Sequence, residues 1–64
     1  MMIEIYAVNQ TTGEQTLICE RCRLHEAIET DDPLYCDALD AIEATGEYVI
    51  GGGAAAMSIL RRVP

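Results

Sequence analysis

The sequence predicts an α+β fold: one small domain over residues 1–64, in which an antiparallel β-sheet, begun by an N-terminal hairpin, packs against two or three short helices. Three observations predict it. Residues 3–8 alternate with a period of two, and residues 33–45 carry apolar side chains at helical spacing between a start and a stop signal. The length of 64 residues suffices for one hydrophobic core and no second.

Ile3, Ile5 and Ala7 alternate with Glu4, Tyr6 and Val8, the pattern of a strand with one face turned inward. The stretch Asn9 to Glu14 has turn chemistry, with Gly13 free to take a positive φ, and Gln15 to Cys19 resumes a β-rich pattern; together these make a hairpin. From about Arg21 the period changes. Leu24, Ala27 and Ile28 fall at i, i+3, i+4 with Glu26 and Glu29 opposite, which predicts a short helix. Asp32-Pro33 is a helix start, because Asp accepts hydrogen bonds from the first orphan N–H groups and Pro suits the first helical position. Thr45-Gly46 is the matching stop. Between them Tyr35, Ala38, Leu39 and Ile42 form an apolar stripe, with Asp37, Asp40 and Glu43 on the opposite side. Glu47 to Ile50 is β-rich, and Gly51-Gly52-Gly53 interrupts any regular element. A second hairpin is expected to follow, since Met57, Ile59 and Val63 alternate with Ser58 and Arg62; the competing prediction is a helix over Ala54 to Arg62.

Composition bounds the function. Eleven acids oppose four arginines, with no lysine, for a net charge of −7. Such a chain finds no counter-charge on nucleic acid or on an anionic membrane, so a basic protein surface is the expected partner. The opening Met1-Met2-Ile3-Glu4 is not that of a signal peptide, no apolar run reaches the roughly 20 residues of a membrane span, and three cysteines are an odd number for a disulfide framework. A reducing cytoplasm is the expected setting.

Cys19, Cys22, His25 and Cys36 supply soft or borderline metal ligands, and Cys19-x-x-Cys22 has the spacing with which two thiolates bind zinc. A zinc-stabilised interaction domain is therefore the alternative function. His25 follows Cys22 too closely, however, and Cys36 stands alone on the second helix, so small apolar core side chains are the preferred assignment for the cysteines. No cofactor is expected. A redox dithiol lacks the βαβ frame such sites use, and a Cys22–His25 hydrolytic pair lacks a pocket and an oxyanion site. The three glycines lack the Lys-Ser/Thr of a phosphate loop and fit a hairpin connection or a close backbone approach. No catalytic set emerges, and the expected function is non-enzymatic.

The acids are the distinctive feature. Glu26, Glu29, Asp31, Asp32, Asp37, Asp40, Glu43 and Glu47 fall in a span without a base, and all four arginines lie outside it. Asp37, Asp40 and Glu43 are spaced by three, about 4.5 Å of helix axis each, and so form a line of anions that Glu47 extends. Such a ridge can occupy a basic groove built for a phosphate backbone, or it is a solvated face that confers solubility.

In size, charge and absence of catalytic motifs, this chain resembles the small acidic phage-encoded anti-CRISPR proteins, notably inhibitors of type I systems. The resemblance covers the whole chain as a profile. It implies an inhibitor that covers the DNA-binding surface of a CRISPR effector in the host cytoplasm, in the manner of a DNA mimic, with the eight acids as the partner-binding residues.

Overall fold

Turn chemistry at Asn9 sets the first hairpin. In the computed structural model, which describes residues 1–64, Asn9 Oδ1 accepts hydrogen bonds from the backbone N–H groups of Thr11 (2.9 Å) and Thr12 (3.3 Å). This turn joins β1 (Met2–Val8) to β2 (Gln15–Arg23). A single helical turn, α1 (Leu24–Ala27), and a longer helix, α2 (Pro33–Thr45), come next, and β3 (Glu47–Gly52) and β4 (Ala55–Arg62) complete the chain. The strands form one sheet in the order β2-β1-β4-β3 with every pairing antiparallel, so the expected α+β domain is what the chain builds.

Helix α2 runs between the expected signals. Asp32 stays extended (φ −75°, ψ 131°) while its Oδ1 accepts the Leu34 N–H at 2.9 Å, and Pro33 follows inside the first turn. At the other end Gly46 takes the left-handed conformation (φ 90°) and donates its N–H to the Ile42 carbonyl at 2.9 Å. The helix lays Ala38 and Ile42, both 0 % exposed, onto the sheet. There they join Ile3, Cys22, Leu24, Ile28 and Leu60 in a single core cluster, with Ile5, Tyr35, Leu39 and Tyr48 packed around it.

Two elements differ from expectation. The helix expected from Arg21 starts only at Leu24, because β2 continues past Cys19 and pairs Cys22 with Ile3 and Arg23 with Met2. Register shifts between Ile3 and Ile5 and between Ile5 and Tyr6 give β2 extra residues opposite β1. Bulges of this kind break the period-two alternation, which is why the strand's second half does not read as one. Residues 55–62 are strand rather than helix, as the hairpin expectation has it. Gly51 (φ 83°) makes that hairpin possible: a Cβ there would collide with the Ala56 carbonyl oxygen. Within β4, Leu60 is the residue that enters the core, whereas Ile59 lies on the opposite side.

Both helices lie on one side of the sheet, since the chain leaves edge strand β2 and returns as edge strand β3. The other face is open. Across it, Leu17, Tyr6, Ile59 and Val49 stand in one row, one residue from each strand in order. Leu17 and Val49 are 45 % and 42 % exposed, and Ile59 is covered by its neighbours. No helix is long and apolar enough to cross a membrane.

Candidate functional site

The two layers carry different charge. Segment 24–46, which forms the helix layer and its connections, holds seven of the eleven acids and no arginine. The strands and the first turn hold the other four, Glu4, Glu14, Glu20 and Glu47, against Arg21, Arg23, Arg61 and Arg62. These cancel. The whole net charge of −7 therefore resides in the helix layer, and the sheet layer is neutral.

Asp37, Asp40 and Glu43 project from α2 on the side away from Ala38 and Ile42, and all three are exposed. Their spacing of three residues turns the line slowly around the helix while advancing about 9 Å from first to last. No basic side chain pairs with any of them, for the one ion pair of the structure joins Arg61 to Glu47. Glu26 on α1, and Glu29 and Asp31 in the connection to α2, are likewise exposed and unpaired. Two of the eight acids have other work. Asp32 is committed to capping α2. Glu47 opens β3, where register places it opposite Arg61, and its Oε2 accepts from Arg61 Nε and Nη2, both at 3.3 Å. Glu47 thus belongs to the sheet and stands apart from the α2 line.

Sequence reasoning missed the composition of the open sheet face. Arg61 stands between two acids in a row that runs Glu4, Arg61, Glu47 across β1, β4 and β3, and pairs with Glu47. Its guanidinium also lies 5.1 Å from the centre of the Tyr6 ring, within range of a cation–π contact. The Tyr6 hydroxyl donates to Glu4 Oε1 at 3.1 Å. Desolvation of the phenol raises its pKa above the usual 10, and the Glu4 hydrogen bond and charge raise it further against a smaller opposing pull from Arg61. Charge counted strand by strand rather than over the whole chain was the signal that pointed here.

The four candidate zinc ligands do not converge. Cys19 and Cys22 are joined as a disulfide across the β2 bulge, with Cα atoms 6.3 Å apart. Cys36 is a free, exposed thiol on the acidic side of α2, and His25 is exposed on α1. No group of three or more His, Cys, Asp or Glu side chains is placed to hold a metal ion. The core assignment holds for Cys22 alone, which is 8 % exposed; Cys19 is half-buried at the core's edge, and Cys36 faces outward because it falls at the angular position of the acids on α2. A groove of about 570 Å³ lies between the start of β1, α1 and α2, with Arg23, His25, Tyr35 and Glu43 among its walls. No Ser, Thr or Cys lines it.

Compared with models of known protein families, with curated proteins and with solved structures, the chain matches none.

Proposed function

We propose that this protein is a non-enzymatic inhibitor that occupies the basic surface of a nucleic-acid-handling partner with its helix layer, in the manner of a DNA mimic. One observation carries the proposal: the entire net charge of −7 sits on one layer, where the acids of α2 and of the α1–α2 connection are exposed and free of basic partners. Charge spread evenly for solubility has no need of that segregation. Duplex DNA presents about one charge per 1.7 Å of axis, so a basic groove built for phosphates meets a comparable field in a row of carboxylates on a helix. Asp37, Asp40 and Glu43 are the central binding residues, and Glu26, Glu29 and Asp31 flank them. The profile shared with anti-CRISPR proteins makes a type I CRISPR effector in a bacterial cytoplasm the first partner to test. Because the line points away from the core, binding does not depend on the redox state of Cys19 and Cys22.

The experiment is a triple substitution, Asp37→Asn, Asp40→Asn, Glu43→Gln, assayed for binding to purified effector and for loss of the protein's block on the effector's DNA binding. Exposed substitutions of this kind shift stability by within about 0.5 kcal/mol, so the fold survives. Charge pairs across an interface couple by roughly 1.5 to 7 kcal/mol, so binding falls by at least an order of magnitude. Added salt weakens the parent in the same direction. A folded triple variant that binds and inhibits as well as its parent at every ionic strength returns the acidic layer to a solubility role.

A further inference from the structure

The helix layer leaves the opposite broad face of the sheet bare, and that face has properties the acidic layer lacks: it carries charge of both signs, is apolar at its centre and is self-complementary. Its central row, Leu17, Tyr6, Ile59 and Val49, spans all four strands in register. Only eight of the 64 residues are buried within the chain, so the fold spends little of its apolar content on its own core and keeps Leu17 and Val49 in solvent. We propose that two copies of this chain pack through their open sheet faces about a two-fold axis that runs along the strands between β1 and β4.

Register dictates what such an axis brings together. Because the sheet order is β2-β1-β4-β3, the rotation lays β1 of one copy over β4 of the other, and β2 over β3. Tyr6 then meets the second copy's Ile59, and Leu17 meets its Val49. One row along, Glu4 meets Arg61, and on the far side Val8 meets Met57. Every apolar side chain in these rows finds an apolar one, and the charged residue on β1 finds its opposite on β4.

Size and charge both favour this face. A slab of 30 × 24 × 20 Å offers roughly 700 Å² on its broad face, close to the ~800 Å² each partner contributes to a standard specific interface. Two helix layers cannot approach each other, since each carries the full charge of −7. Both edge strands are also irregular, β2 with two register shifts against β1 and β3 with one at Gly51 against β4, which disfavours edge-to-edge pairing. The open face is the surface through which two copies can join, and joining there leaves both acidic layers pointing outward.

Sedimentation of the wild-type chain from about 1 µM to about 500 µM tests the proposal, and a mass of twice the chain is expected within that range. The Leu17→Glu, Val49→Glu double variant, checked for folding by circular dichroism, is expected to dissociate at least ~100-fold more readily, because two-fold symmetry counts each change twice. Glu4→Arg and Arg61→Glu are each expected to weaken self-association by ~10-fold or more, and a one-to-one mixture of those two variants is expected to recover it, since each copy then presents the sign its neighbour requires. A wild-type chain that stays monomeric throughout overturns the proposal and leaves the face to a different protein. A dimer indifferent to Leu17→Glu and Val49→Glu, or two charge variants that fail to recover when mixed, also overturns it. None of these substitutions touches the helix layer, so the binding test on Asp37, Asp40 and Glu43 has a separate outcome.

Discussion

Replacing Ile42 with alanine tests whether α2 closes the core over the sheet. Ile42 is 0 % exposed and belongs to the same cluster as Ile3 and Leu60, which are 0 % and 1 % exposed on β1 and β4. The substitution removes three buried carbon groups at about 0.8 kcal/mol each, or about 2.4 kcal/mol before any cavity forms. Core truncations of this type span roughly 2 to 5 kcal/mol because surrounding atoms collapse only partly into the space. A chain of this length is stabilised by roughly 3 to 10 kcal/mol in total, so the loss takes a large share. With an unfolding entropy of about 2.1 cal/mol/K per residue, each kcal/mol moves the midpoint by about 7 °C. Thermal melting followed by far-ultraviolet circular dichroism, at one protein concentration, is expected to show Tm lowered by about 20 °C or a chain that no longer folds. Ile42→Val, which removes one group, is expected to lower Tm by about 7 °C. Asp40→Asn, two residues earlier on the same helix but on the outward side, is expected to move it by no more than about 4 °C. A Tm for Ile42→Ala within about 5 °C of the parent, or equal to that of Asp40→Asn, would refute the packing described.

Two further outcomes follow from the cysteines and from Tyr6. Without reductant the chain is expected to show one titratable thiol, Cys36, and after treatment with a dithiol three; the reduced form is expected to be less stable by about 2 kcal/mol, the loop-entropy figure for the shortest loops, and three thiols before reduction would exclude the bond. One tyrosine is expected to ionise later than an unperturbed phenol in an absorbance titration, and that late phase is expected to vanish in Tyr6→Phe. The native state holds the Tyr6 proton more tightly than the unfolded chain does, so its contribution to stability is complete below pH 10 and is lost as pH rises through the raised pKa. A titration unchanged by Tyr6→Phe would place the shift elsewhere.

Local chemistry made most of the architecture legible. Asp32-Pro33 and Thr45-Gly46 bound α2 because capping and backbone conformation act within a few residues, where sequence shows them directly. The same holds for the Asn9 turn and for the hairpin that Gly51 permits. What escaped depends on pairing at long range. The second half of β2 loses its alternation at the bulges, so only its registration against Ile3 and Met2 makes it a strand. The side of the sheet that Ile59 and Leu60 each occupy is set by β1 and β3 on either hand, and neighbouring apolar residues carry no mark of it. On α2, helical spacing put Asp37, Asp40 and Glu43 outside, and the same geometry puts Cys36 there. Glu47, expected to extend the acidic line, leaves it for a related reason: it lies beyond the stop at Gly46, so it follows the geometry of the strand and meets Arg61.

Chain topology explains why a charge pattern in sequence becomes a charged surface in space. A block of acids without bases maps onto one face only if its elements stay together on one side of the sheet. Here both helices lie between β2 and β3, which are the two edges, so the segment crosses the sheet once and keeps its seven acids in one layer. In an alternating β-α-β chain with helices on both sides, the same acids would divide between two surfaces. The four strands and the first turn are then left with as many arginines as acids, and among them Arg61 pairs with Glu47 beside Tyr6. Two surfaces of different character result, one strongly anionic, the other apolar at its centre with charge of both signs. Substitutions on the helix layer and on the open sheet face are separated by the thickness of the core, so their effects on partner binding and on self-association are expected to add independently.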